Sequence, residues 1–170
     1  LRVHVVDVND VYALFSGGVV HPEAIRSFVA HAYANWPGAT LQYLLLFGDG
    51  DINPKGYNLA TYGPYAPTLI PPYLEFADPD QGEVAVDARF GDVDWDGMPE
   101  VMVGRIPAGS VQQAEDAVAK TLAYESAPDA PWTMRAIMVS DNGGSEPEGF
   151  EEIADDLVAD YVPTSMDVYT

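Results

Sequence analysis

The run Phe90-Gly91-Asp92-Val93-Asp94-Trp95-Asp96-Gly97-Met98-Pro99-Glu100 sets acids at alternate positions ahead of a glycine. Carboxylates at that spacing, with Gly97 allowing a tight turn, gather hard oxygen donors around one point, which is the chemistry Ca²⁺ requires. The candidate ligand positions are Asp92, Asp94, Asp96, Met98 and Glu100. A full EF-hand loop would need a bidentate Glu at its twelfth position, and Val103 stands there, so Glu100 or a distant carboxylate must complete the shell. The plainer reading is an acidic, solvated turn. Charge crowding favours a cation, because nine acids and one base, Arg89, lie between Glu75 and Glu100.

Gly48-Asp49-Gly50-Asp51 directly follows a hydrophobic stretch. A strand running into Asp-x-Asp is how haloacid-dehalogenase phosphotransferases present a nucleophilic carboxylate and a general acid beside Mg²⁺. The match is incomplete, since Asn53 stands where that family has Thr or Val and no later Lys or acidic pair follows. A turn or a cation-binding role suits Asp49 and Asp51 as well. Ser140-Asp141-Asn142-Gly143-Gly144 puts a carboxylate where a strand should end, a place from which it can orient a histidine by accepting a ring N–H. On these residues alone a turn shaped by Asp141 and Asn142 is the simpler account. His4, His21 and His31 fall in a strand, ahead of a helix and off that helix's apolar stripe, so they read as separate structural or solvent-facing residues. The chain has no cysteine and hence no thiol nucleophile, and it carries no Gly-x-Ser-x-Gly elbow, Walker loop, dinucleotide fingerprint or His-Glu-x-x-His.

Alternating β-branched residues predict a strand over Arg2 to Val8 and a short helical turn over Val11 to Phe15. Pro22 opens a helix to Trp36 with Ile25, Phe28, Val29, Ala32, Tyr33 and Trp36 on one stripe. Leu41 to Phe47 is apolar almost throughout, as in a central strand covered on both faces. Gly48 to Gly91 reads as a long functional loop in which only short pieces such as Leu69 to Phe76 are ordered. Pro99 to Gly104 predicts a strand. Ser110, with Gln113 in capping-box position, starts a helix to Glu125 whose Ala114, Ala117, Val118, Thr121 and Leu122 face inward. Further elements are a strand at Arg135 to Ser140, a helix at Phe150 to Tyr161 and a weak strand at Ser165 to Tyr169. Strands alternating with helices define an α/β class, a mostly parallel sheet with helices on both faces. Ligand chemistry then belongs in the loops beginning at Gly48, Gly104 and Asp141.

Over 170 residues, 7 Lys plus Arg against 27 Asp plus Glu leave a net charge of −20. Such a chain repels nucleic acid and anionic membrane surfaces. Its longest apolar run, Tyr43 to Phe47, excludes membrane insertion as a helix. With 48% hydrophobic residues it can bury a core, and one globular domain is the natural expectation.

Three segments taken together identify a family. Val8 to Gly18 leads to Pro22-Glu23-Ala24-Ile25-Arg26-Ser27-Phe28; then come Tyr43-Leu44-Leu45-Leu46-Phe47-Gly48-Asp49, and Phe90-Gly91-Asp92 through Val103-Gly104-Arg105-Ile106-Pro107. In order and spacing, with the helix ending Ala123-Tyr124-Glu125, they resemble the gingipain-type cysteine peptidase family. The resemblance implies a caspase-like α/β sandwich, structural calcium and secretion from a bacterium as part of a multidomain precursor. It implies peptide hydrolysis by a Cys thiolate, with His as general base and acid and an acidic residue orienting the His. That His and Cys are expected beyond Thr170, making residues 1–170 the amino-terminal portion of the peptidase domain, without protease activity alone. The orienting acid carries over to Asp141, with Asn142 the equivalent if the alignment slips by one residue. Glu151 and Glu152 fall where acids of some members select basic side chains, although solvation explains that helix face equally well. The implied partners are the remainder of its own domain and a peptide or protein substrate. The alternative from another class is a non-catalytic, calcium-stabilised binding or assembly module, and phosphoryl transfer through Asp49 and Asp51 comes third.

Overall fold

The computed structural model of the chain describes residues 2–37, 41–57, 59–62, 68–127, 130–140 and 149–169. Two units partition the chain, Leu1–Ala119 and Lys120–Thr170.

In the first unit, Asp7 caps α1 (Val8–Ser16) by accepting the Asn9 N–H, and Gly17 closes it in the left-handed conformation. His21 caps α2 (Pro22–Asn35) through a ring nitrogen that accepts the Glu23 N–H, and Pro22 supplies the preset first turn. The two helices pack together. Next come β1 (Tyr43–Phe47), the short α3 (Leu59–Tyr62), β2 (Leu74–Asp78), β3 (Gly82–Ala85), a 3-10 turn at Asp87–Phe90 and β4 (Met102–Ile106). β1 and β4 pair in parallel, from Tyr43 opposite Met102 to Phe47 opposite Ile106. β2 and β3 form an antiparallel hairpin. Its turn is built by Asp78, whose carboxylate accepts the N–H groups of Asp80 and Gln81. Val11 and Tyr12 of α1, Ile25 and Val29 of α2, and Leu46 of β1 meet Ile70, Phe90 and Val101 in one buried cluster. Phe90, Val29 and Val101 have no exposed surface.

The unit boundary falls within α4 (Val111–Glu125). Ser110 caps that helix through Oγ, which accepts the Gln113 N–H at 3.2 Å. The Gln113 amide reaches back to the Gly109 N–H rather than to that of Ser110, a capping box displaced by one residue. In the second unit β5 (Arg135–Ile137) and β6 (Asp167–Tyr169) pair in parallel, with α5 (Phe150–Tyr161) between them in sequence.

The α/β class with parallel pairing is therefore as expected, and its elements differ in detail. Arg2 to Asp7 forms no strand, because a strand needs a ladder partner and no described residue pairs with these; Val3 and Val5 are exposed. The helical turn expected from Val11 starts at Val8, where Asp7 provides the cap. β1 is covered on one face only: Leu46 is buried while Tyr43, Leu45 and Phe47 are exposed. The strand expected at Pro99 to Gly104 sits two or three residues later, because Glu100 and Val101 donate their N–H groups to the Gly91 carbonyl instead of entering the ladder. α4 buries no residue; of the stripe expected to face inward, Ala114 and Ala117 are half-buried while Val118 and Leu122 are exposed. The stretch Gly48 to Gly91 holds a hairpin that its mixed composition concealed. β5 and β6 are shorter than the expected strands, at three residues each.

Candidate metal centre

The Gly91–Val101 turn is closed at its base by the Gly91 carbonyl, which accepts from both Glu100 and Val101. A Cβ on residue 91 would lie 2.1 Å from the Val101 carbonyl oxygen, so only glycine lets the two ends meet. Inside the turn the acids act on the backbone. Asp92 accepts the Trp95 N–H at 2.7 Å through one oxygen and the Gly97 N–H at 3.2 Å through the other. Glu100 accepts the Val93 N–H at 2.9 Å, drawing the far end of the turn over the near one. Trp95 at φ 69 and Gly97 at φ 92 carry the reversal; for tryptophan this left-handed geometry is unusual.

The outcome is convergence. Asp92, Asp94 and Glu100 each offer a carboxylate oxygen within 4.8 Å of the others, Asp92 buried and the other two exposed. Oxygens bound to one Ca²⁺ at about 2.3–2.6 Å are at most roughly 5 Å apart, so the three fit a single divalent ion. Each carboxylate oxygen that accepts one backbone N–H keeps a lone pair for a cation. Asp96 is not one of the three: its Oδ1 accepts the Met98 N–H at 2.8 Å, and Met98 itself is exposed.

Beneath the turn lies Arg26 of α2, only 3% exposed. Its guanidinium carbon stands 3.3 Å from the centre of the Trp95 ring. Nη1 reaches Glu23 at 3.4 Å, while Nε and Nη2 are buried with no partner among the described residues. Glu23 also accepts the Tyr73 hydroxyl at 2.5 Å. Burial first, and then that bond to Glu23, push the Tyr73 hydroxyl well above its ordinary pKa. On the hairpin side Arg89 pairs with Glu75 and lies 5.3 Å over Tyr73 and 5.5 Å over Trp95. The sequence reading missed Arg26 and Trp95. A signal existed, since Arg26 precedes Val29 and Tyr33 by three and seven residues and so lies on the buried stripe of α2.

The second acidic place, at the end of β1, behaves differently. Asp49 Oδ1 accepts the Gly50 N–H at 2.8 Å and Asp51 Oδ1 the Asn53 N–H at 2.7 Å, which is turn chemistry. Arg105 commands this region. Its guanidinium grips Asp87 with two bonds, at 2.6 and 2.7 Å, and donates from Nη1 to the carbonyls of Gly48 and Ile70 at 2.9 and 3.0 Å. Beside it a cleft of about 200 Å³ is lined by Asp49, Ile52, Pro72, Leu74, Asp87 and Arg105. Nearby, burial drives the Tyr12 hydroxyl, which donates to the Leu69 carbonyl, up to about 12, with the Arg105 charge pulling the other way.

The histidines have separate structural tasks, as expected. His4 packs on Trp36, His21 caps α2, and His31 bonds with Asn35. Asp141 and Asn142 lie outside the described residues. Among the described residues no helix is long and apolar enough to cross a membrane.

The chain thus combines an α/β fold with an acidic turn that leads into a parallel strand. The model of peptidase family C25 matches residues 1–170, and the chain belongs to that family, as its likeness to the gingipain-type peptidases implied. Among solved structures it is similar to dimeric latent PorU from Porphyromonas gingivalis, with a TM-score of 0.57 and 22% identity over 81% of this chain. That likeness is one of fold, and the chain spans 16% of the PorU chain's length. No curated protein matches the chain.

Proposed function

We propose that residues 1–170 are the amino-terminal portion of a gingipain-like cysteine peptidase domain and that they bind calcium for structure. The observation that carries the calcium reading is the meeting of Asp92, Asp94 and Glu100 within 4.8 Å. Calcium held there would neutralise the acids and tie the two ends of the turn together. Family membership over the whole chain supports the peptidase reading. These residues contain no cysteine, so the thiolate of the parent enzyme must come from other residues, and the purified chain is expected to show no cysteine-protease turnover. In this reading Asp141 is a positioning residue that orients the catalytic His, within a caspase-like sheet, and the parent protein is secreted from or displayed on a bacterial cell.

The test of the calcium site is thermal melting of the chain in EDTA and in millimolar CaCl₂. A higher Tm with calcium is expected, and Asp92→Asn should abolish the rise. Identical melting curves would remove the metal from the proposal. For the peptidase reading, the residues that follow Thr170 in the parent polypeptide decide: a strand ending in His and another ending in Cys are expected. Loss of either would favour a non-catalytic, calcium-stabilised binding module.

A further inference from the structure

We propose that the stack of Trp95 on the buried Arg26 guanidinium is the positioning device of the metal centre, holding the turn in its binding shape before any ion arrives. This rests on the reading of Asp92, Asp94 and Glu100 as ligands. Four observations support it, each physically distinct.

The first is the backbone. Trp95 sits at φ 69, a conformation that L-residues with large side chains seldom adopt and that nothing in the ring itself favours. Something outside residue 95 must hold it there. The second is the contact that can: the indole lies against the Arg26 guanidinium at 3.3 Å, and Arg26 is fixed on α2 in the core. The third is connectivity. The Trp95 N–H donates to Asp92 Oδ1 at 2.7 Å, and Asp94 is its immediate neighbour, so the orientation of residue 95 sets two of the three candidate ligands. The fourth is the condition of Arg26 itself. Among the described residues its Nε and Nη2 are buried without acceptors, and its ion pair with Glu23 is long at 3.4 Å. A cation so poorly partnered is costly to bury. Its flat face, by contrast, is fully used by Trp95, which is where a guanidinium differs from an apolar side chain of equal length.

Preorganisation of this kind raises affinity by removing the ordering cost that a floppy acidic loop would meet on binding. Outer partners that orient metal ligands are commonly worth about 10–100-fold in metal affinity. The acids alone would then be insufficient for tight binding, and the α2 side of the unit would share in it.

The experiment is calorimetric titration of Ca²⁺ alone into the full chain and three variants, with melting in EDTA as the control for folding. Trp95→Asn keeps a residue that tolerates left-handed backbone and removes the ring; it should bind calcium about tenfold more weakly while its Tm in EDTA stays near that of wild type. Trp95→Phe restores an aromatic face and should recover most of the affinity. Arg26→Met removes the charge and the orphaned N–H groups, and it too should weaken binding without lowering the Tm in EDTA. Equal calcium affinity in wild type and Trp95→Asn would overturn the positioning role while leaving the metal site standing. Tighter binding by Arg26→Met would show that Arg26 acts only as a repelling charge, and would overturn it as well. Absence of calcium binding by wild type would instead overturn the reading on which the proposal rests.

Discussion

Two acidic regions of this chain, one after β1 and one before β4, use their carboxylates in different ways. At Gly91–Val101 the acids fold the turn inward and leave three oxygens within 4.8 Å of one another. At Gly48–Asp51 each acid accepts the N–H of a residue one or two positions along without converging on a common point, and the region is held by a cation from another strand, Arg105. The turn therefore gathers charge that a metal can use, whereas the strand end is fastened through its backbone by Arg105, whose own charge is paired with Asp87.

The sharpest way to break this contrast is to remove Arg105. Arg105→Ala leaves the part-buried Asp87 without its partner and strips the donor from the carbonyls of Gly48 and Ile70, at an expected cost of about 3 kcal/mol in urea unfolding. Lys at that position should rescue little, because it cannot repeat the forked grip on Asp87 while donating to both carbonyls. A variant as stable as wild type would mean that the strand end does not depend on Arg105.

Calcium addition comes next in size. At a free concentration one hundred times its dissociation constant, a single site adds about 2.7 kcal/mol. The gain should vanish in Asp92→Asn and persist in Asp49→Asn, measured by the midpoint of denaturation. Persistence in the first or loss in the second would merge the two regions into one cation-dependent network.

Glycine replacements probe close approach in both regions. A Cβ at residue 50 would lie 2.4 Å from the Ile70 carbonyl oxygen and one at residue 91 would lie 2.1 Å from that of Val101. Gly50→Ala and Gly91→Ala should each cost about 1–3 kcal/mol in urea unfolding. Only the second should also weaken the calcium response, since it forces open the base of the turn.

The smallest effect at neutral pH belongs to Tyr12, whose ionisation matters only in alkali. Its folded-state pKa is raised to about 12 from an ordinary 10, so the stabilisation is complete below pH 10 and is lost as pH rises towards 12. Alkaline unfolding followed by tyrosinate absorbance should show this step, and Tyr12→Phe should remove it. The helices and the fold class need no such test to be recognised, for α2 follows the apolar periodicity, the His21 cap and the Pro22 first turn of its own residues, and α5 follows its apolar periodicity. What the periodicity could not reveal is cover. Leu45 and Leu46 are equally apolar neighbours, yet one is 60% and the other 3% exposed, because burial depends on what packs against each face of β1.

The acidic turn was legible from sequence because its donors and the groups they bind lie within one short segment. Asp92 to Glu100 fold on themselves, and the spacing of acids with Gly97 determines most of the outcome. Sequence did not single out Glu100 over Asp96 as the third close carboxylate. That depended on the Gly91 carbonyl pairing with residues 100 and 101 and carrying Glu100 back over the turn. The partners of Arg105 lie 18, 35 and 57 residues away, and no local pattern names them. The same holds for Arg26 beneath Trp95. Sequence by itself determined the longer helices, the α/β class and the acids able to hold a cation, since those follow from backbone preference and near neighbours, while whether strands form at Arg2 to Val8 and in the β2–β3 hairpin depended on partners that it does not name. Only the tertiary structure decided which side chains met across distant segments, because such meetings follow from burial of a shared core.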